Sequence, residues 1–350
     1  MGVRLVFFPA NCGDSFLVEC PVLGGVFRIL IDGGTPETAA VISAYLKKDG
    51  ACPPIDLVIV THIDNDHIGG IINLLKDQEI NSAIKEVWFN GVSRLGAPLP
   101  KNIQSLSVAQ GIDLEKTLST DPRWNTSFGM APISLNADNS SRHVPLANGI
   151  EIHILSPGTV QLDELKRNWD KVAAELGNAK KKKEKLPAGV GGLGAAKDVG
   201  FLSRVKFTQD KAFANGSSIA FLLKTGGKTL LFTGDAFPSV MLEAAEKFDV
   251  HPIKVDVFKV SHHGSAGNTN EDIVKKFPAY RYLISTDGTH EHPDDETIAR
   301  ILKHSPPKSE KILVCNYADT LSDWSGVDFS GTWSTALRPI EPGKVIEIDL

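Results

Sequence analysis

Residues 61–70 read THIDNDHIGG and follow directly on the apolar run IDLVIV at 55–60. A short apolar run bounded in this way predicts a buried strand, so the ten residues after it occupy a strand exit and the start of a helix. His62 and Asp64 are two apart, and Asp66 and His67 are adjacent. A loop leaving a strand aims residues i and i+2 to one side, and the next turn swings i+4 and i+5 round to face them. Four donors then converge on one small space. Imidazole nitrogen and carboxylate oxygen suit zinc, manganese and iron, and the stretch holds no thiolate that would call for a softer metal. Capping of a helix N-terminus explains an aspartate here, but it leaves both histidines without a reason. Gly69 and Gly70 remove side chains where a helix has to lie close against a sheet.

Working outward, the chain alternates strands and helices. VRLVFFP, SFLVEC and VFRILID predict an antiparallel meander with NCGD and PVLGG as turns, and TPETAAVISAYLKKDG predicts a helix opening at Thr35 with proline at its first position. IGGIINLLKDQ follows as a helix and KEVWFN as a strand. From about 91 to 148 the pattern weakens to one helix around KNIQSLSVAQ and a polar loop NADNSSRH, a region expected to shape the approach of substrate. GIEIHILSPG is a strand. The second half opens with the hairpin SSIAFLLKTGGKTLLFTGD and then repeats strand and helix through VDVFKVSHHGS, YRYLIST and KILVCN to a last strand in GKVIEIDL. Two blocks, each a meander followed by helices, predict two mixed sheets packed face to face with helices outside.

One segment cannot complete a metal shell, and other strand ends carry the missing donors. Asp32 follows VFRILI, Asp235 follows TLLFTG, His262 and His263 end VDVFKVS, and His290 and His292 follow YRYLIST. An aspartate at a strand exit with no helix to cap is a candidate to bridge two metals. For His262 the plainer reading is a strand-end ring hydrogen-bonded to backbone.

LIDGG, THIDNDHIGG, TGDA and HEHP resemble, in order, the motifs of the metallo-β-lactamase superfamily, and NGSSIAFLLKTGGKTLLFTGDAF, DVFKVSHHGS and YLISTDGTHEHP resemble its branch containing the soluble hydrolase domain of the competence protein ComEC and stand-alone relatives. The resemblance covers residues 1–90 and 150–305. It implies an αββα sandwich, residues 1–350 as a single domain with an insert at about 160–200, and a site for one or two divalent ions. Matched residue by residue, it implies one metal on His62, Asp64 and Asp235 and another on Asp66, His67, Asp235 and His292. Asp64 stands where the superfamily has histidine, and Asn215 stands at its third histidine; the branch shares both. Oxygen donors in place of imidazoles move the preference towards manganese or magnesium, with zinc still accommodated.

Two such ions generate a hydroxide at neutral pH and stabilise the charge of an in-line phosphoryl displacement. The expected activity is therefore that of a phosphodiesterase or nuclease, with Asp66 and His263 catalytic: His263 binds a phosphate oxygen or protonates the leaving group. Asp32 orients a ligand histidine, and Asn215, His262 and Ser265 stand around the metals or against substrate. The competing readings are a hydrolase of a small ester, lactone, thioester or cyclic nucleotide, and a metal-containing binding module without catalysis.

The bulk composition fits a globular protein and excludes several classes. Of 350 residues 42% are hydrophobic, and no apolar run is long enough to span a bilayer. The N-terminus lacks the pattern of a signal peptide, which predicts a cytoplasmic protein with no membrane partner. Cys12, Cys20, Cys52 and Cys315 form no C-x-x-C pair and predict neither a thiolate zinc site nor a disulfide framework. At a formal net charge of −5, a DNA substrate has to be held by local features rather than by a global positive field. The lysine run at 180–185 is one such feature, read either as a phosphate contact or as the solvated face of a helix. A partner protein is left open.

Overall fold

In β1 (Arg4–Phe7), β2 (Phe16–Val22), β3 (Gly25–Ile31) and β4 (Leu57–Ile59), successive residues go to two different cores. Leu5, Phe7, Phe16, Val18, Ile29, Ile31, Leu57 and Ile59 pack in the larger apolar cluster, while Val6, Leu17, Leu30 and Val58 pack in a second one. Strand side chains alternate with period two, so this division means that the sheet is buried on both faces. The larger cluster also holds Phe221, Leu223, Leu230 and Phe232 from a second sheet, and Phe16 meets Phe232 edge-on at 5.6 Å. The second cluster holds Ile42, Ile68, Ile71 and Leu75 from helices α1 (Thr38–Leu46) and α2 (Asn65–Lys76). Sheet therefore faces sheet on one side and helices on the other.

The computed structural model describes residues 2–96, 106–169, 197–305, 312–324, 338–339 and 344–350. The first sheet has the order β14-β1-β2-β3-β4-β5, where β5 is Val87–Trp88 and β14 is Ile346–Asp349. Strands β1 to β3 are antiparallel, and β3, β4 and β5 are parallel. The second sheet runs β13-β12-β11-β10-β9-β8-β7-β6. Its strands are β6 (Arg142–Pro145), β7 (Glu151–Ser156), β8 (Ala220–Thr225), β9 (Lys228–Phe232), β10 (Val255–Lys259), β11 (Ala279–Ile284), β12 (Ile312–Cys315) and β13 (Arg338–Pro339). The β6 to β9 strands form an antiparallel meander, and β9 to β13 are parallel. The other helices of six residues or more among the described residues are α3 (Gln78–Ala83), α4 (Leu106–Ser119), α5 (Thr159–Arg167), α6 (Pro238–Ala245), α7 (Glu271–Lys276) and α8 (Asp295–His304). Of these, α6, α7 and α8 make the crossovers that parallel strands require. This is the expected two-sheet sandwich of mixed sheets with helices outside.

Two elements differ from the sequence reading. Helix α1 starts at Thr38 rather than at Thr35, because the turn before it docks on α2: Asn73 Nδ2 donates to the Pro36 carbonyl at 3.1 Å. The polar segment read as a loop ends in strand β6, whose His143 and Val144 pair with His153 and Ile152 of β7. The lysine run and most of the insert lie outside the described residues.

The contact that fixes α2 is made by backbone. A Cβ on Gly70 would stand 2.0 Å from the carbonyl oxygen of Gly33, so the helix carrying Asp66 and His67 touches the exit of β3 without an intervening side chain. Gly33 N donates to the His67 carbonyl at 2.7 Å across the same contact.

Candidate metal centre

Parallel strands of both sheets end at one edge of the sandwich, the place where open α/β sheets carry their ligands. Asp32 follows β3, His62 and Asp64 follow β4, and Asp66 and His67 lie in the first turn of α2. From the other sheet Asp235 follows β9, and His262 and His263 follow β10. The turn between β1 and β2 adds Asp14.

Asp235 is the centre of the arrangement. Its Oδ2 lies 3.7 Å from Nε2 of His62, of His262 and of His263, and its Oδ1 lies 3.6 Å from Nε2 of His67. Asp64 Oδ2 stands 3.6 Å from His62 Nε2, and Asp66 Oδ2 stands 3.3 Å from His263 Nε2. Most of these separations are too long for hydrogen bonds. They suit neighbouring ligands of one ion, since bonds of about 2.0–2.2 Å in tetrahedral array put donors roughly 3.3–3.5 Å apart.

Hydrogen bonds behind the rings fix which nitrogen faces inward. His67 Nδ1 donates to Asp32 Oδ2 at 2.8 Å, and His263 Nδ1 donates to the Ser285 carbonyl at 2.8 Å. His262 Nδ1 donates to Asn268 Oδ1 at 2.9 Å; the amide is fixed in that sense because its Nδ2 donates to the Asp235 carbonyl at 3.0 Å. Thr61 Oγ1 gives its proton to Asp32 Oδ2 at 2.7 Å and so accepts from His62 Nδ1 at 3.1 Å. All four imidazoles thus turn an Nε2 lone pair towards Asp235, the tautomer a metal ligand needs.

The protein's own groups leave this cluster incomplete. His62 Nε2, Asp64 Oδ1, Asp235 Oδ1 and Asp14 Oδ1 are buried without a hydrogen-bond partner, an arrangement that native structures keep when a bound ion or water satisfies it. Charge follows the same logic. Burial pulls the His67 ring down, but Asp235, Asp32 and Asp66 outweigh it and push its pKa up to about 10. Burial likewise works against His262 and His263, and the neighbouring carboxylates raise both, His263 strongly. Asp235 and Asp66 are held below the ordinary carboxylate range, because the surrounding imidazoles outweigh their burial. Without a cation the cluster would therefore be balanced by protons, and divalent ions fit in their place.

Two residues behind the cluster escaped the sequence reading. Lys259, the last residue of β10, is buried; it pairs with Asp14 and donates to the Gly234 carbonyl at 3.0 Å, next to Asp235. A lysine inside the apolar run VDVFKVS was the signal, since such residues are buried only when paired. Asp14 sat in a turn and gave none.

The structure brings His62, Asp64, Asp66, His67 and Asp235 together, with Asp32 behind His67. It places His263, rather than His292, at Asp66 and His67. It places His262 beside Asp235, and Asn215 Nδ2 donates to Asp210 Oδ2 at 2.6 Å and lies behind His262. His292 packs edge-on against the His262 ring at 5.3 Å with its Nδ1 3.6 Å from Asp294 Oδ1. Ser265 Oγ accepts from Gly267 N at 3.3 Å and shapes the turn after His263. Both His262 and His263 have left-handed backbone, φ 48° and 54°, which is uncommon for residues with a Cβ and turns two consecutive rings into one cluster.

Residues 13–91, which span the turn of Asp14, both strand exits and all of α2, match the model of the metallo-beta-lactamase superfamily. Over that stretch the chain is similar to the metallo-beta-lactamase superfamily. Over 311 residues it is 22% identical to ComE operon protein 3 of Bacillus subtilis (strain 168), covering 84% of this chain and 30% of that one. It thus spans about a third of the length of that curated relative. Among solved structures it is similar to the metallo-beta-lactamase-fold protein YhfI from Bacillus subtilis, with 13% identity, a TM-score of 0.43 and coverage of 99% of this chain and 100% of the other. MEM-A1, a subclass B3 metallo-beta-lactamase from a soil metagenome library, is similar at 13% identity and a TM-score of 0.35, with 75% and 78% covered. His62 and His67 of the matched stretch form, with Asp235, a group of donors able to hold a metal ion. Among the described residues no helix is long and apolar enough to cross a membrane.

Proposed function

We propose that this protein is a phosphodiesterase with DNA as its substrate, working with two divalent ions. The observation that carries the reading is the distribution of donors round Asp235. Both its oxygens face donors: Oδ2 lies 3.7 Å from Nε2 of His62, His262 and His263, and Oδ1 lies 3.6 Å from Nε2 of His67. Asp64 stands beside His62 and Asp66 beside His263, which supports reading Asp235 as a bridge between two ions. Manganese or zinc held there supplies Lewis-acid polarisation of a phosphoryl oxygen and activation of the attacking water. Three carboxylates in the set favour the oxygen-loving metals that serve phosphoryl transfer.

The chain's own groups do the rest. Asp32, Ser285, Asn268 and Thr61 hold the four rings in the ligand tautomer, so no reorganisation is needed on binding. With His263 in the cluster, the proton for the leaving oxygen falls to His292, the imidazole beside His262 with the Asp294 carboxylate behind its Nδ1.

Purified protein with manganese, magnesium or zinc is tested on a labelled DNA oligonucleotide and on a panel of small esters, lactones and thioesters. Cleavage of DNA that is lost in Asp66→Ala supports the proposal. Turnover confined to the panel, or no turnover with any of the three metals, overturns it and leaves the fold as it stands.

A further inference from the structure

Strand β6 is the edge of the second sheet, and it carries His143 directly opposite His153 of β7. Glu151 lies two residues before His153 on the same strand and hence on the same face. This face is the one away from the sheet-to-sheet core, since Ile152 and Ile154, which alternate with it along β7, are buried in that core. The two imidazoles are stacked with centroids 4.7 Å apart and planes within 25°. Glu151 Oε2 receives both: it lies 3.6 Å from His143 Nε2 and 3.5 Å from His153 Nε2. All three donor atoms fall within 4.8 Å of one another.

We propose that His143, Glu151 and His153 form a separate metal site, for one zinc ion, that clamps edge strand β6 to β7. The donor set, two imidazoles and a carboxylate, is the one zinc takes when a fourth position is left to water. The two carboxylate-to-imidazole separations are those of neighbouring ligands of one ion rather than of hydrogen bonds. His153 Nε2 is buried and has no hydrogen-bond partner, so the ring points its donor at the shared space without a protein group to satisfy it. Phe248 covers this ring at 5.5 Å from centroid to centroid and restricts it to that direction. Burial, then Lys224 and His143, hold the His153 pKa below its ordinary value, which keeps the ring neutral near pH 7. Among the described residues this four-residue edge strand has a ladder partner on one side only, and a cross-strand clamp is one way of holding it.

The site is far simpler to disable than the central cluster, because the His143 side chain is 49% exposed. Protein stripped with chelator is dialysed against micromolar zinc, and bound metal is counted by atomic emission for the unmodified chain, His143→Ala and Glu151→Gln. Each variant should hold one zinc per chain fewer than the unmodified protein, with an unchanged circular dichroism spectrum in chelator. Cobalt titration should show the visible bands of a low-coordinate site in the difference between unmodified protein and His143→Ala. Equal zinc counts in all three proteins, or a difference that arises only at millimolar zinc, overturns the proposal. Asp235→Asn, measured in parallel, identifies the metal that belongs to the central cluster.

Discussion

At the scale of single residues, the donor at position 64 decides what the cluster prefers. Asp64 Oδ1 is buried without a partner and its Oδ2 faces His62 Nε2 at 3.6 Å, so this carboxylate is aimed at the same space as the imidazoles. Exchanging it for nitrogen makes that half of the site softer. Asp64→His should raise the ratio of zinc to manganese affinity by about tenfold or more, measured by competition between the two ions, because one donor type changes while Asp235, His62 and His262 stay. An unchanged ratio would mean that the aspartate does not reach the ion. The local motif was legible in sequence since its four donors lie within six residues. Which distant imidazoles join it was not, because strand-end spacing allows His262, His263 or His292. The two left-handed residues at 262 and 263 make the choice, and nothing in the side-chain pattern announces a positive φ at a histidine.

At the scale of elements, helix α2 holds its ligands through a glycine contact and α4 holds a loop through a buried acid. Gly70→Ala places a methyl group 2.0 Å from the Gly33 oxygen, and neither backbone can yield without moving Asp66 and His67. It should cost about 2–3 kcal/mol or more in unfolding by denaturant and weaken metal binding as well. Gly70 was readable as a close-packing residue, since two glycines opening an apolar helix have no other use. Glu115 of α4 is different, because only the fold buries it. Its carboxylate accepts from Ser93 N at 3.3 and 3.4 Å, and burial, the larger effect, pushes its pKa up to about 7. The native state then holds a proton that the unfolded chain releases near pH 4.5. This contribution to stability is fully present below pH 4.5 and is lost as the pH rises through about 7. Glu115→Gln should therefore match the unmodified protein near pH 4.5 and exceed it by about 1–3 kcal/mol at pH 8, in urea melts at the two values. A constant difference between the two would show that the acid does not titrate on unfolding. Strand β6 was illegible for a related reason: its one buried apolar residue, Val144, gives no period, and its pairing with β7 alone makes it a strand.

For the whole molecule, the cluster is a joint between its two sheets. His62, Asp64, Asp66 and His67 come from the sheet of β1 to β5, and Asp235, His262 and His263 from the other. The side chains that converge at this edge include buried imidazoles and carboxylates, and these gain nothing from the apolar layer that joins the sheets elsewhere. An ion that binds them binds the folded chain and not the unfolded one, so it stabilises by mass action, about 2.7 kcal/mol at a free concentration of one hundred times its Kd. Removal of metal by chelator should lower the melting temperature by roughly 5 °C, and the loss should be reversed by manganese or zinc. Asp235→Asn should melt at one temperature with or without metal, because the carboxylate that all four imidazoles face is then neutral. His143→Ala should keep the manganese-dependent part of the shift, since its edge is a separate place in the same sheet. A chelator effect that survives in Asp235→Asn would assign the stabilising ion elsewhere and take from the cluster its role of holding the two halves of the sandwich together.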